Sequence, residues 1–184
     1  MCTPAVVGWI TQLVVDKTVR QHYIVTQLLQ LLKAHLLFEP VTIVGLVSSH
    51  PAACNALAKY AGKLIPSSTR FIIANDTSTH QAINIYTVDL PFICDNAEKI
   101  LASSNIQYLK DAKLSGKLFQ EDYDGGAVSS VFTEFYVDHE EPLEVLDQYK
   151  AKGKWCLGEL LDGHEFLAIF PVVPLSLTSK FAVL

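Results

Sequence analysis

The apolar positions of this chain fall into short runs with two periods, and the period assigns each element. Residues 8–15, GWITQLVV, form a nearly unbroken apolar and β-branched run that ends at Asp16-Lys17, which predicts a buried strand entering a turn. In 24–35, IVTQLLQLLKAH, Ile24, Leu28, Leu31, Leu32 and His35 recur at helical spacing, which predicts a helix with a single apolar face. VTIVGLVSS, 41–49, reads as a second buried strand. PAACNALAKYAG, 51–62, reads as a helix with Pro51 in its first turn and Gly62 as C-cap. Strand, helix, strand, helix in this order places two parallel strands side by side with crossover helices.

The pattern weakens over 63–89, where RFIIAN is a strand candidate and NDTSTH a loop. A helix is expected from near Pro91 to about Ser103. KLFQEDY and AVSSVFTEFYVDH flank Asp124-Gly125-Gly126, a turn sequence that predicts a hairpin. EPLEVLDQYKAKG then reads as a helix stopped at Gly153, and WCLGELL and HEFLAIF as strands around Asp162-Gly163. No pattern is legible after Pro171. The expected fold class is α/β, in the α+β sense: a mixed sheet with flanking helices over 1–65, then a hairpin-containing α+β segment over 66–184.

Composition narrows the function classes. With 184 residues, 50% hydrophobic and 18% charged, the chain has apolar material for one domain or one domain with an appendage. The 14 Lys and Arg against 19 Asp and Glu give a net charge of -5, so nucleic acid and anionic membranes are not expected partners. Cys2, Cys54, Cys94 and Cys156 are far apart, with no CxxC pair, which indicates neither a zinc site nor a disulfide framework. A reduced, cytoplasmic setting follows as the expectation. The apolar start from Pro4 to Val15 is interrupted by Gly8, Thr11 and Gln12 and falls short of the roughly 20 residues that span a bilayer.

ITQLVVDKTVRQHYIVTQLLQLLKAH resembles the motif of the GNAT superfamily of N-acetyltransferases, a strand ending LxV followed by Arg/Gln-x-x-Gly-x-Gly/Ala and a long helix. VTIVGLVSSHPAACNALAKYAG resembles the next strand and helix of that family, and together the two cover 8–62. The resemblance implies an acetyl-CoA cofactor and an amine acceptor, bound where the two strands splay apart. It implies that Leu13 and Val15 contact the pantetheine arm. Arg20, Gln21, His22, Tyr23, Ile24 and Val25 would form the pyrophosphate loop, the amides opening the helix facing the phosphates. Gln12 and His50 are the side chains nearest in sequence for orienting the amine.

This chain departs from the family pattern at several points. Tyr23 and Val25 stand where the family has small loop residues, so weak acetyl-CoA binding is expected. Ala58 stands at the position of the family's frequent tyrosine acid, and Tyr60 is turned about 200° from it on a helix. The strands that precede the motif in the family are not seen before residue 8, so the edge of the first strand is expected to be covered by the C-terminal hairpin or by a second copy of the chain. The segment from Phe92 to Pro171 resembles an appendage of some fungal GNAT-like proteins, through FYVDHEEPLEVL and LGELLDGHEFL. The alternative to an acyltransferase is a non-catalytic GNAT-like module for association or ligand binding.

His139-Glu140-Glu141 and His164-Glu165 are a second candidate constellation, able to ligate a metal or supply a base if the fold brought them together. The simpler expectation is that Asp138 caps a helix and Asp162-Gly163 is a hairpin turn. Ser49 and His50 are expected to cap the helix at Pro51, Cys54 to be buried and inert, and Trp9 and Trp155 to be core anchors.

Overall fold

A strand as apolar as IVGLVS needs neighbours on both edges. In the computed structural model, which describes residues 5–20, 23–62 and 84–173, it has them. The strands β1 (Val7–Ile10), β2 (Ile43–Ser48), β3 (Lys113–Ser115), β4 (Ser130–Phe132) and β5 (His164–Pro171) form one mixed sheet in the order β1-β2-β5-β4-β3. β2 runs parallel to β1, with Val7 opposite Ile43 and Ile10 opposite Leu46. On its other side it runs antiparallel to β5, from Ile43 opposite Pro171 to Ser48 opposite Phe166.

Among the described residues five α-helices pack around this sheet: α1 (Ile24–Lys33), α2 (Pro51–Ala61), α3 (Leu90–Ala102), α4 (Gln107–Asp111) and α5 (Glu140–Ala151). Tyr60 and Leu57 of α2, Ile93 of α3, Leu109 of α4, Leu146 of α5 and Phe166 of β5 are all fully buried in one core. The α/β class read from the sequence is therefore the class of the fold. Strands from both sides of residue 65 share a single sheet, so that position divides the chain without dividing the sheet. Among the described residues no helix is long and apolar enough to cross a membrane.

Several sequence expectations shift. The first strand stops at Ile10, and the rest of the expected run to Val15 leaves the sheet as an arm without regular secondary structure. KLFQEDY is not a strand. β3 lies before it, and the connection from β3 to β4 turns through Gly116 at φ +114, where a Cβ would meet the Val128 carbonyl oxygen at 2.6 Å. WCLGELL contributes only an isolated bridge from Gly158 to Ala127. RFIIAN and NDTSTH lie outside the described residues. β5 takes the side of β2 opposite β1, so the described C-terminal strands do not cover the first strand's outer edge, and no described strand pairs there.

The apolar face of α1 is rotated from the expected one. Leu28 and Leu31 are exposed, while Leu29 and Lys33 are buried. The cause is docking onto the C-terminal end of α2, whose last carbonyls have no partner within the helix. Gln30 Nε2 donates to the Lys59 carbonyl at 3.0 Å, and Lys33 Nζ donates to those of Tyr60 at 2.9 Å and Gly62 at 2.5 Å. Gly62 closes α2 as expected, but at φ -68 and without a left-handed turn, so the lysine does the capping.

Burial pulls the Lys33 ammonium down to about 8 from an ordinary 10.5. Between these values the unfolded chain carries the proton and the folded protein has released it, so this group's contribution to stability rises with pH. Lys33→Met is expected to cost about 1 to 2 kcal/mol at neutral pH by orphaning the α2 carbonyls. The gap to wild type should widen from pH 8 to pH 10 in chemical denaturation. A gap that narrows over that range would contradict this account.

Candidate functional site

Where β1 parts from β2, a cleft of about 780 Å³ opens, a volume that suits a small-molecule or cofactor site. One wall is the arm carrying Leu13, Val14, Val15, Val19 and Arg20. The arm is turned by Asp16, whose carboxylate accepts from the Thr18 amide at 2.8 Å and the Thr18 hydroxyl at 2.5 Å, followed by a 3₁₀ turn over Lys17–Val19. The Thr18 bonds hold the Asp16 carboxyl below the usual carboxylate range. Among the described residues, the amides of Leu13, Val14 and Val15 make no backbone hydrogen bond, as expected of a chain that has left its ladder.

The second wall is the start of α1, at Tyr23, Ile24, Val25 and Thr26. Tyr23 is the N-cap residue in a left-handed conformation, φ 59 and ψ 15, with no side-chain cap and no acidic residue in the first turn. The position has the backbone that glycine serves best, although a tyrosine occupies it. Among the described residues no side chain caps the opening amides of α1, and Tyr23 to Thr26 line the cleft with the positive end of the helix dipole behind them.

The third wall is the N-terminal half of α2. His50 is its N-cap, its Nδ1 accepting from the Ala52 amide at 3.2 Å. Burial and then the nearby Arg20 charge hold the His50 ring below its usual range, so it is neutral at pH 7. With Nδ1 used as acceptor, the proton sits on Nε2, which lies 3.9 Å from a Glu141 carboxylate oxygen. In this tautomer Nε2 is a donor and has no lone pair to accept a proton.

The fourth wall comes from α5. Glu141, Val145, Gln148, Tyr149 and Lys152 line the cleft, at spacings of four, three, one and three that make one helix face. Arg20 is held by this wall: its guanidinium forms an ion pair with Glu141, while its Nε donates to the Val15 carbonyl at 2.9 Å. Tyr149 accepts at its hydroxyl from Asn55 Nδ2 at 3.0 Å, tying α5 to α2, and burial raises its phenol above the ordinary value.

No protein-family model, curated protein or solved structure matches this chain. Of the residues singled out in the sequence, Leu13, Val15, Arg20, Tyr23, Ile24, Val25 and His50 all line this cleft. Gln12 is exposed and does not line it, because the arm turns that side chain outward after Ile10. Gln21 and His22 lie outside the described residues. Sequence reasoning missed the α5 wall. Its only signal was the helical spacing of 141, 145, 148, 149 and 152, a face that reads as ordinary solvent-side polarity until α2 is placed against it.

The second constellation is divided. Glu141 belongs to the cleft, whereas His164 packs on the Phe132 ring, centroids 5.0 Å apart, with Nδ1 at 2.8 Å from the Asp162 carbonyl. Glu165 is buried in β5, where Thr133 Oγ1 donates to it at 2.9 Å; burial raises its carboxyl, offset by that bond and by His139. His139 is the N-cap residue of α5 without a side-chain cap, and Asp138 instead accepts from the Glu140 amide at 2.9 Å. No group of three His, Cys, Asp or Glu is placed to hold a metal among the described residues. Cys54 is fully buried and its thiol is pushed far up by desolvation, which leaves it inert.

Proposed function

We propose that this cleft holds an acyl-CoA and that the chain is an N-acetyltransferase-like protein presenting the acyl group to an amine. The observation that carries the reading is the start of α1, uncapped among the described residues, opening beside Arg20 and next to an arm whose amides at Leu13, Val14 and Val15 make no backbone hydrogen bond among those residues. An anion at the helix start and an amide-bearing ligand along the arm would satisfy both. In transfer, the amine nitrogen attacks the thioester carbonyl carbon, the C–N bond forms, the C–S bond breaks, and the thiolate takes the proton that the amine loses. Alignment in the cleft and polarisation of the carbonyl by fixed amides are the contributions this chain is suited to make.

A second reading, a binding module without catalysis, is favoured by the side chains. Ala58 is fully buried, and the neutral His50 ring is committed to capping α2. Tyr60 is fully buried beneath Lys33, away from the cleft lining. On either reading a second copy of the chain is the proposed cover for the outer edge of β1.

The test is acetyl-CoA binding by calorimetry. Tyr23 occupies a left-handed backbone position, and Tyr23 and Val25 add bulk where a diphosphate must come within about 3 Å of amides. Wild type is expected to bind in the high micromolar range, and Tyr23→Gly, Val25→Ala to bind roughly tenfold tighter, about 1.4 kcal/mol. Part of that gain is spent on ordering a more flexible loop. Low-micromolar wild-type binding, or no gain in the double variant, would overturn the steric account. No binding by either protein would overturn the acyl-CoA reading itself.

A further inference from the structure

The cleft of this acidic protein is positively charged. Its lining carries Arg20, Lys59, Lys152 and Lys154 against the single carboxylate of Glu141, although the whole chain has a net charge of -5. Arg20 and Glu141 neutralise each other at one place. Lys59, Lys152 and Lys154 form no ion pair among the described residues.

These three lysines line the cleft from α2 and from the end of α5. Glu141 opens α5 and Lys152 is its C-cap, so at about 1.5 Å per residue they stand some 16 Å apart along the helix. Lys154 follows, held back against the helix by its amide, which donates to the Tyr149 carbonyl at 2.9 Å. Lys59, in the last turn of α2, places its Nζ over the Tyr23 ring, 5.6 Å from the centroid, beside the start of α1. The neighbouring Lys150 is paired with Glu159. Three unneutralised ammonium groups on the wall of a concave site repel one another and lower their mutual energy by gathering an anion.

We propose that Lys59, Lys152 and Lys154 form a subsite for a phosphomonoester of the ligand, so that the end of α5 reads the nucleotide end of an acyl-CoA whose diphosphate lies beside it at the start of α1. This deepens the acyl-CoA reading and rests on it for the identity of the ligand. A doubly charged phosphate offers three acceptor oxygens to three ammonium donors, each contact being a charge-assisted hydrogen bond.

The experiment compares CoA, dephospho-CoA, which lacks the ribose 3′-phosphate, and adenosine 3′,5′-bisphosphate by calorimetry. The proteins are wild type and Lys152→Met, Lys154→Met, whose substituted side chains are exposed and whose folding is checked by thermal unfolding. Wild type is expected to prefer CoA over dephospho-CoA by about tenfold, and the variant to bind the two equally. Equal binding of both by wild type, or an unchanged preference in the variant, would overturn the subsite and leave the acyl-CoA reading standing. Lysine-dependent binding of the bisphosphate without any binding of acetyl-CoA would uphold the subsite and overturn the acyl-CoA reading. Failure of all three ligands to bind would overturn both.

Discussion

Phe166→Ala is expected to destabilise the protein by about 3 to 5 kcal/mol, the largest loss among the substitutions considered, because it empties the centre of the core. Phe166 is fully buried on β5, where it lies opposite Ser48 of β2 and Ser130 of β4. Its ring meets Trp155 edge-on, centroids 4.8 Å apart at 73°, and Trp155 in turn lies 5.9 Å from Tyr149, which lines the cleft. Trp155 is fixed at its other end by Nε1 donating to the Gly158 carbonyl at 2.7 Å. Deleting the Phe166 ring therefore removes core contacts and also the support of the α5 wall. Chemical denaturation should show the lost stability, and Trp155 emission should shift red in the folded variant as water reaches it. A loss below about 1 kcal/mol would mean that the core collapses around the gap, contrary to its packing.

The second large effect is expected at Gly45→Ala, at about 2 to 3 kcal/mol, through crowding and not through loss. Gly45 lies opposite Trp9 in the β1–β2 ladder, and the indole leans across it: an added Cβ would meet the Trp9 ring carbons at 2.5 and 2.6 Å. A ring held by strand pairing cannot retreat as the end of a flexible chain can. The indole must swing away and carry β1 with it, and β1 leads directly into the arm of Leu13 and Val15. Loss of stability should therefore be accompanied by loss of ligand binding in calorimetry. The double variant Trp9→Leu, Gly45→Ala should recover part of the stability, since the smaller side chain makes room. If the single variant is as stable as wild type, the packing of Trp9 on Gly45 is not a constraint.

The elements with long, unbroken patterns were legible. α2, α3, α5 and β5 lie within a residue or two of where their apolar spacing and caps put them, because capping and periodicity are local properties. His50 as the cap of α2 belongs to the same class, since the ring reaches an amide two residues on. Elements whose boundaries depend on a distant partner were not legible. GWITQLVV reads as one strand to Val15, but a strand lasts only as long as its pairing, and β1 leaves β2 at Ile10 although β2 runs on to Ser48. The hairpin was misplaced for a related reason. Asp124-Gly125-Gly126 has turn chemistry, yet the ladder that decides the pairing runs from Lys113 opposite Phe132 to Ser115 opposite Ser130.

The candidate site divides in the same way. The sequence by itself determined the order of two strands and two helices, the capping of α2, and Leu13, Val15, Arg20, Tyr23, Ile24 and Val25 as residues of one candidate site, which the fold places along one cleft. These follow from contacts between near neighbours in the chain. Only the tertiary structure decided that α5 lines the cleft, that Arg20 is paired with Glu141 across 121 positions, and that Lys59, Lys152 and Lys154 line the same cleft. It also decided which face of α1 is buried: the carbonyl ends of α2 need donors, Gln30 and Lys33 supply them, and Leu28 and Leu31 are turned to solvent as a result. A hydrophobic period fixes how a helix can be amphipathic. The unsatisfied polar groups of the element it meets fix which of its faces goes in.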